Sequence, residues 1–188
     1  MSRLSDERFA ELYDGTLQLV AEHGFDRVTM DQIAEATHSS KATLYRQWGS
    51  KAALVTDAMV CTVEDHHDPV DTGHLRSDLH QMLTEEKPRG IDDGKLVGAL
   101  LHAVRTHPEL EQALREKVFF VGRERIGLIA ARAVERGEVA ADCPGIDYIP
   151  LLLIAQVILQ PVLDGTPWDD ATKLHYVDDV LLPILGVY

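Results

Sequence analysis

The sequence predicts an all-α protein of about nine helices. Three observations carry that reading. Every long segment repeats its apolar residues with a helical period, and no stretch alternates with a strand's period of two. Ser, Thr, Asp, Pro and Gly stand where helices start and stop. With 188 residues the chain can bury a core without disulfide staples.

Phe9, Leu12, Tyr13, Thr16, Leu17 and Val20 recur at helical spacing, so the first helix turns one stripe inward, and His23-Gly24 ends it. Thr29 and Gln32 have the spacing of a capping box. They open a short second helix with Met30, Ile33 and Ala34 facing inward, ending near Thr37. Ser39 and Ser40 are placed to cap a third helix, Lys41 to Trp48, which Gly49-Ser50 stops; Ser50 caps a fourth, from Lys51 to about Val63.

His66 to Gly73 reads as a loop, followed by a fifth helix of about four turns through Leu75, Leu79, Met82 and Leu83. Lys87 to Gly94 breaks the chain again, and a sixth helix runs from Lys95 to near His107. Pro108, whose missing N–H is no loss in a first turn, opens a long seventh helix that reaches Glu135 and closes at Arg136-Gly137. Its stripe of Leu110, Leu114, Val118 and Val121 is widened by Phe119, Phe120, Ile126, Leu128 and Ile129, which predicts a central position. The eighth helix, Tyr148 to Leu163, is apolar on nearly all faces. The ninth, about Asp170 to Leu185, carries Leu174, Val177, Leu181 and Leu185.

Lys and Arg number 18 against 31 Asp and Glu, a net charge of -13. Such a chain does not coat nucleic acid or an anionic membrane with its whole surface, so any DNA contact is local. An acidic chain that ends in two very apolar helices is expected to bury them against a partner. Cys61 and Cys143 lie far apart and form no C-x-x-C pair, which fits reduced thiols and a cytoplasmic setting. The N-terminus shows no apolar export segment. Tyr148 to Leu163 is 16 residues long and interrupted by Pro150, Gln156, Gln160 and Pro161, short for a membrane span.

The second helix, its short turn and the third helix form a helix-turn-helix, whose second helix can enter a DNA major groove. Charge placement supports this. Residues 1–60 carry 6 basic and 9 acidic groups, yet no acid lies between Glu35 and Asp57, where Lys41, Arg46 and Lys51 fall. Positive charge is gathered where a phosphate backbone would pass.

The run from Ala21 to Leu54 resembles the DNA-binding signature of the TetR family of bacterial one-component transcriptional regulators. The residues that carry the resemblance are Gly24-Phe25, Thr29, Ile33-Ala34, Ser40-Lys41, Thr43-Leu44-Tyr45, Trp48, and Gly49-Ser50-Lys51 with Leu54. The remainder resembles the family in plan: a variable helical domain whose last two helices make a dimeric four-helix bundle.

The resemblance implies a recognition helix bearing Lys41, Thr43 and Tyr45. Thr43 is the first choice for a base contact, and Ala42 can meet a thymine methyl. Lys41, Tyr45, Thr29 and Lys51 are assigned to phosphates, with Ser40, Arg46 and Gln47 as further DNA-binding candidates. Leu44, Ile33 and Trp48 read as core. The turn departs from the family's usual Ala-Gly-Val-Ser: it reads Thr37-His38-Ser39-Ser40, so His38 replaces a glycine that tolerates positive φ. The N-terminal arm is thinly basic, with Arg3 and Arg8 among Asp6, Glu7 and Glu11.

No nucleophile with its base, no phosphate loop and no cofactor motif is present, so no enzyme activity and no cofactor are expected. His66, His67, Asp68, His74 and His80 lack the spacing of a metal site, and no metal is predicted. Met82, His102, Phe119, Phe120, Tyr148, Gln156 and Trp168 mix aromatic and polar groups on apolar helices, as a ligand pocket would. Gln156 and Gln160 need hydrogen-bond partners among Leu and Ile.

The resulting expectation is a helix-turn-helix domain over residues 1–50, a connecting helix over 51–65 and a ligand-binding and dimerisation domain over 66–188. The function implied is a ligand-released homodimeric repressor on a palindromic operator. A helical ligand- or metal-binding dimer without tight DNA binding is the alternative.

Overall fold

A computed structural model describes residues 6–64, 70–84, 92–163 and 165–188. Among the described residues the chain is helical throughout, with no strand. The helices are α1 (Asp6–His23), α2 (Met30–Ala36), α3 (Lys41–Trp48), α4 (Lys51–Glu64), α5 (Leu75–Thr84), α6 (Asp93–Ala103), α7 (108–135), α8 (Ile149–Leu163) and α9 (170–184). His66, His67 and Asp68 lie outside the described residues.

The helix boundaries follow local chemistry. Thr29 and Gln32 make the reciprocal capping box at α2. The Ser40 hydroxyl accepts from Thr43 N at 3.1 Å, and the Ser50 hydroxyl accepts from Ala53 N at 3.1 Å. Asp169 caps α9 through Thr172 N at 2.9 Å. α6 starts earlier than the sequence suggests, because the Asp92 carboxylate accepts from Lys95 N at 3.1 Å. It also ends earlier. Thr106 N and His107 N both donate to Ala103 O at 3.0 Å, which turns the chain before Pro108.

Two helices contain a turn that the periodicity does not announce. α7 passes through a π turn at Leu114–Val118, and α9 through one at Val177–Leu181. A π turn adds a residue and rotates the downstream side chains by about 100° on the helical wheel. Leu110, Leu114 and Val118 are buried, whereas Phe119, Phe120 and Leu128, expected to widen the inner stripe, are exposed. Their assignment to a central core is corrected on that ground.

The described chain packs as two units. The first comprises α1 to α4, α6 and α7 as far as Val121; the second comprises α5, the rest of α7, α8 and α9. In the first unit α1 packs on α4, α6 and α2, and α3 packs on α2 and α4. Leu12, Leu17, Val20, Ile33, Leu44 and Leu54 fill its core. In the second, α5 packs on α9 around Leu75, Leu79, Ile129, Ile149, Leu181 and Leu182. Here Asp78, fully buried, accepts from Arg136 Nη2 at 3.0 Å and from Thr72 N and Oγ1 at 2.7 Å. Burial pushes its carboxyl up, but these hydrogen bonds outweigh burial and hold it below the usual carboxylate range.

Candidate nucleic-acid interface

α3 is held by its buried side. Leu44 and Trp48 are buried, and the Trp48 ring meets Phe9 and Tyr13 of α1 edge-on, with centroids 6.2 and 6.0 Å away. The opposite face is free. Lys41, Ala42, Tyr45, Arg46 and Gln47 are exposed, and Tyr45 shows 47% of its surface. Thr43 is half-buried, its hydroxyl 2.8 Å from that of Ser40. The Lys41 ammonium lies 6.0 Å from the centre of the Tyr45 ring.

Two of the basic candidates are engaged. The Lys41 ammonium donates to Asp31 Oδ2 of α2 at 2.8 Å, and this hydrogen bond raises its pKa. Lys51 turns inward: its ammonium donates to Phe25 O and, at 2.7 Å, to Val28 O, and lies 4.1 Å from the centre of the Phe25 ring. Burial lowers its pKa against the opposing pull of Asp26. Lys51 therefore fixes the segment that leads into Thr29, whose own side chain is exposed at the start of α2. The exposed lysine and the inward one look alike in sequence; the Phe25 carbonyl that separates them lies 26 positions away.

The turn between α2 and α3 is tight. His38 takes φ +49°, the left-handed conformation expected where the family carries glycine. Thr37 is buried, its hydroxyl donating to Ile33 O at 2.7 Å, and its carbonyl accepts from Arg8 of α1. A methyl group added to Gly15 of α1 would meet Thr37 Cγ2 at 3.1 Å, so glycine lets the two helices close on the threonine. Sequence reasoning missed Asp31 and Gly15 and read Arg8 only as part of the N-terminal arm; none of these contacts has a local signal.

The chain is similar to known regulators over nearly its whole length. Residues 12–58 match the family described as bacterial regulatory proteins, tetR family. Residues 69–180 match the tetracyclin repressor-like C-terminal domain. The chain belongs to the TetR family of bacterial regulators. The HTH-type transcriptional regulator Rv1556 of Mycobacterium tuberculosis is 35% identical over 179 residues, which cover 95% of this chain and 88% of the relative. The DNA-binding transcriptional repressor TetR of Mycobacteroides abscessus is 33% identical, covering 96% and 95% of the two chains. Salmonella enterica GusR has the same fold, with TM-score 0.72 at 20% identity over 98% of this chain and all (100%) of its own. This TetR-family member is a helix-turn-helix, DNA-binding transcriptional regulator.

The residues singled out for a ligand are scattered. His102, Phe119 and Phe120 are exposed in the first unit. In the second, Met82 and Trp168 pack against the core, Tyr148 is exposed, and Gln156 lines a cavity between α8 and α9. Gln160 lines the same cavity, and its buried Oε1 has no hydrogen-bond partner.

Proposed function

We propose that this TetR-family chain is a homodimeric repressor that reads a palindromic operator through two copies of α3 and is released by a small-molecule effector. The observation that carries the reading is the exposed face of α3. It bears Lys41, Ala42, Tyr45, Arg46 and Gln47 in a stretch without acids, over a buried side fixed by Leu44 and Trp48. Thr43 and Ala42 meet base edges; Lys41, Tyr45, Ser40 and the α2 N-terminus at Thr29 meet phosphates, with Arg46 and Gln47 beside them. Lys51 acts by holding the Phe25–Val28 segment. Residues 1–50 bind DNA, 51–65 connect, and 66–188 bind the effector and dimerise. A cytoplasmic location and the absence of catalysis belong to the same reading.

The exposed apolar surface of α8 supports the dimer. Leu151, Val162 and Leu163 expose 63%, 77% and 77% of their surface, and Leu159 and Tyr148 continue the patch. The run Pro144–Leu163 is apolar and long enough to cross a membrane by length and composition, yet a patch of this size also suits a second copy of α8 and α9. An effector that fits only the dimer with wrongly spaced α3 helices lowers DNA affinity by linkage.

Selection of bound duplexes from a random DNA pool by the purified protein tests this. A palindromic motif with half-sites about one helical turn apart, or a multiple of it, is expected. No enrichment at low salt would replace the operator-binding reading with a DNA-independent dimer.

A further inference from the structure

The loop between α1 and α2 is gripped by two elements that reach it from far along the chain. Phe25 and Val28 are buried, and Lys51 at the start of α4 donates to the carbonyls of both. The second grip comes from the corner between α6 and α7, within the same unit. There the His107 ring meets Phe25 edge-on, with centroids 5.1 Å apart, and its Nε2 donates to Asp26 Oδ1 at 2.6 Å. A carboxylate only accepts, so Nε2 carries the proton of this bond. Glu109 Oε1 stands 3.7 Å from Nδ1, beyond hydrogen-bond distance.

The backbone of His107 is itself fixed. It precedes Pro108, which keeps it out of the helical conformation, at φ −124° and ψ 87°. Its N–H donates to Ala103 O at 3.0 Å, and its carbonyl accepts from Leu110 N at 3.0 Å and Glu111 N at 3.1 Å. We infer that His107 is a positioning residue for operator binding. Thr29, the exposed N-cap of α2, follows directly on the gripped segment, and α2 in turn meets Lys41 of α3 through Asp31. With Asp26 tied to the α6–α7 corner and Val28 tied to α4, the start of α2 is ordered before a phosphate arrives. Without the His107 donor, DNA must order that segment as it binds, and affinity falls. The inference rests on the reading of Thr29 and α3 as the operator-contacting surface, and adds to it a residue far outside the helix-turn-helix.

Affinity for the selected duplex is measured in full-length His107→Phe and His107→Gln, each with and without Asp26→Ala. Phenylalanine keeps a ring edge against Phe25 and removes the donor, whereas glutamine keeps a side-chain N–H for Asp26. His107→Phe is expected to bind about fivefold more weakly, the size of one partly exposed hydrogen bond. His107→Gln is expected to match wild type. In the Asp26→Ala background His107→Phe should have no effect, because the acceptor is already gone. In the free protein the Gln32 amide, which the Thr29 hydroxyl caps at 3.3 Å, should exchange faster in His107→Phe than in wild type or His107→Gln. Melting curves and sedimentation check that fold and oligomeric state are kept.

Equal affinity of His107→Phe and wild type overturns the inference. So does a penalty that persists in the Asp26→Ala background or that His107→Gln shares, because the ring then acts through packing alone. A wild-type protein that selects no duplex removes the operator reading instead, and the Gln32 amide still reads the clamp. Faster exchange in His107→Phe then keeps His107 as the residue that orders the start of α2, and unchanged exchange overturns that as well.

Discussion

The Lys41 ammonium lies 2.8 Å from the Asp31 carboxylate, so the first residue of α3 is tied to the first turn of α2. Both side chains are more than half exposed, at 52% and 66%, and water and salt screen an exposed pair of this kind, so it holds weakly. A DNA phosphate can therefore displace Asp31. Asp31→Asn is expected to raise affinity for a selected duplex several-fold at low salt, with the gain shrinking as salt screens the charge. Fluorescence anisotropy across a salt series measures this, and equal affinities would mean that Asp31 does not compete for Lys41.

His38 holds φ +49° in the turn that orients α3. A left-handed conformation costs a non-glycine residue about 1 kcal/mol and a β-branched residue more. Thermal unfolding should rank the variants His38→Gly above wild type and His38→Val below it. A reversed order would show that the imidazole stabilises the turn more than its backbone strains it.

Gly15 and Thr37 are expected to be coupled. Gly15→Ala alone gains helix propensity but places its methyl 3.1 Å from Thr37 Cγ2, so the gain is cancelled. In a Thr37→Ser background the methyl is gone while the hydroxyl that bonds Ile33 O remains. There Gly15→Ala should stabilise by about 0.5–1 kcal/mol. A double-mutant cycle read by urea unfolding gives the coupling directly, and additivity within about 0.3 kcal/mol would refute it.

Arg136→Ala leaves the Asp78 carboxylate buried without its cation, a loss of about 3 kcal/mol at pH 7. The Asp78 carboxyl is held below its ordinary value in the folded protein. Its contribution is therefore present above the unfolded value of about 4 and lost as pH falls through the lower folded value. In the variant Thr72 still donates to the carboxyl, so only the part of the contribution that Arg136 supplies is missing. Urea unfolding at pH 7 and at about pH 3.5 should show the gap between wild type and variant narrowing in acid.

The parts of this molecule that local chemistry dictates were legible in its sequence. Thr29, Ser40 and Ser50 cap the helices that their spacing announced, and the acid-free window around Lys41 marked the exposed face of α3. What was not legible depends on contacts between distant residues. Nothing near Lys51 indicates that the Phe25 and Val28 carbonyls take its ammonium, and nothing near Gly15 announces Thr37. The π turn at Leu114–Val118 leaves no composition mark, and Phe119, Phe120 and Leu128, which periodicity adds to the inner stripe, are exposed. The amides of Gln156 and Gln160 were visible as oddities, but their shared cavity required α9.

The most direct test of the central claim is the salt dependence of binding to the selected duplex, compared between wild type and Lys41→Ala, with sedimentation to confirm the dimer. A phosphate contact at Lys41 predicts weaker binding to every duplex by a similar factor, and a log–log salt slope shallower by about 1. Unchanged affinity and slope with the dimer intact would contradict the assignment of α3 as the DNA-reading helix.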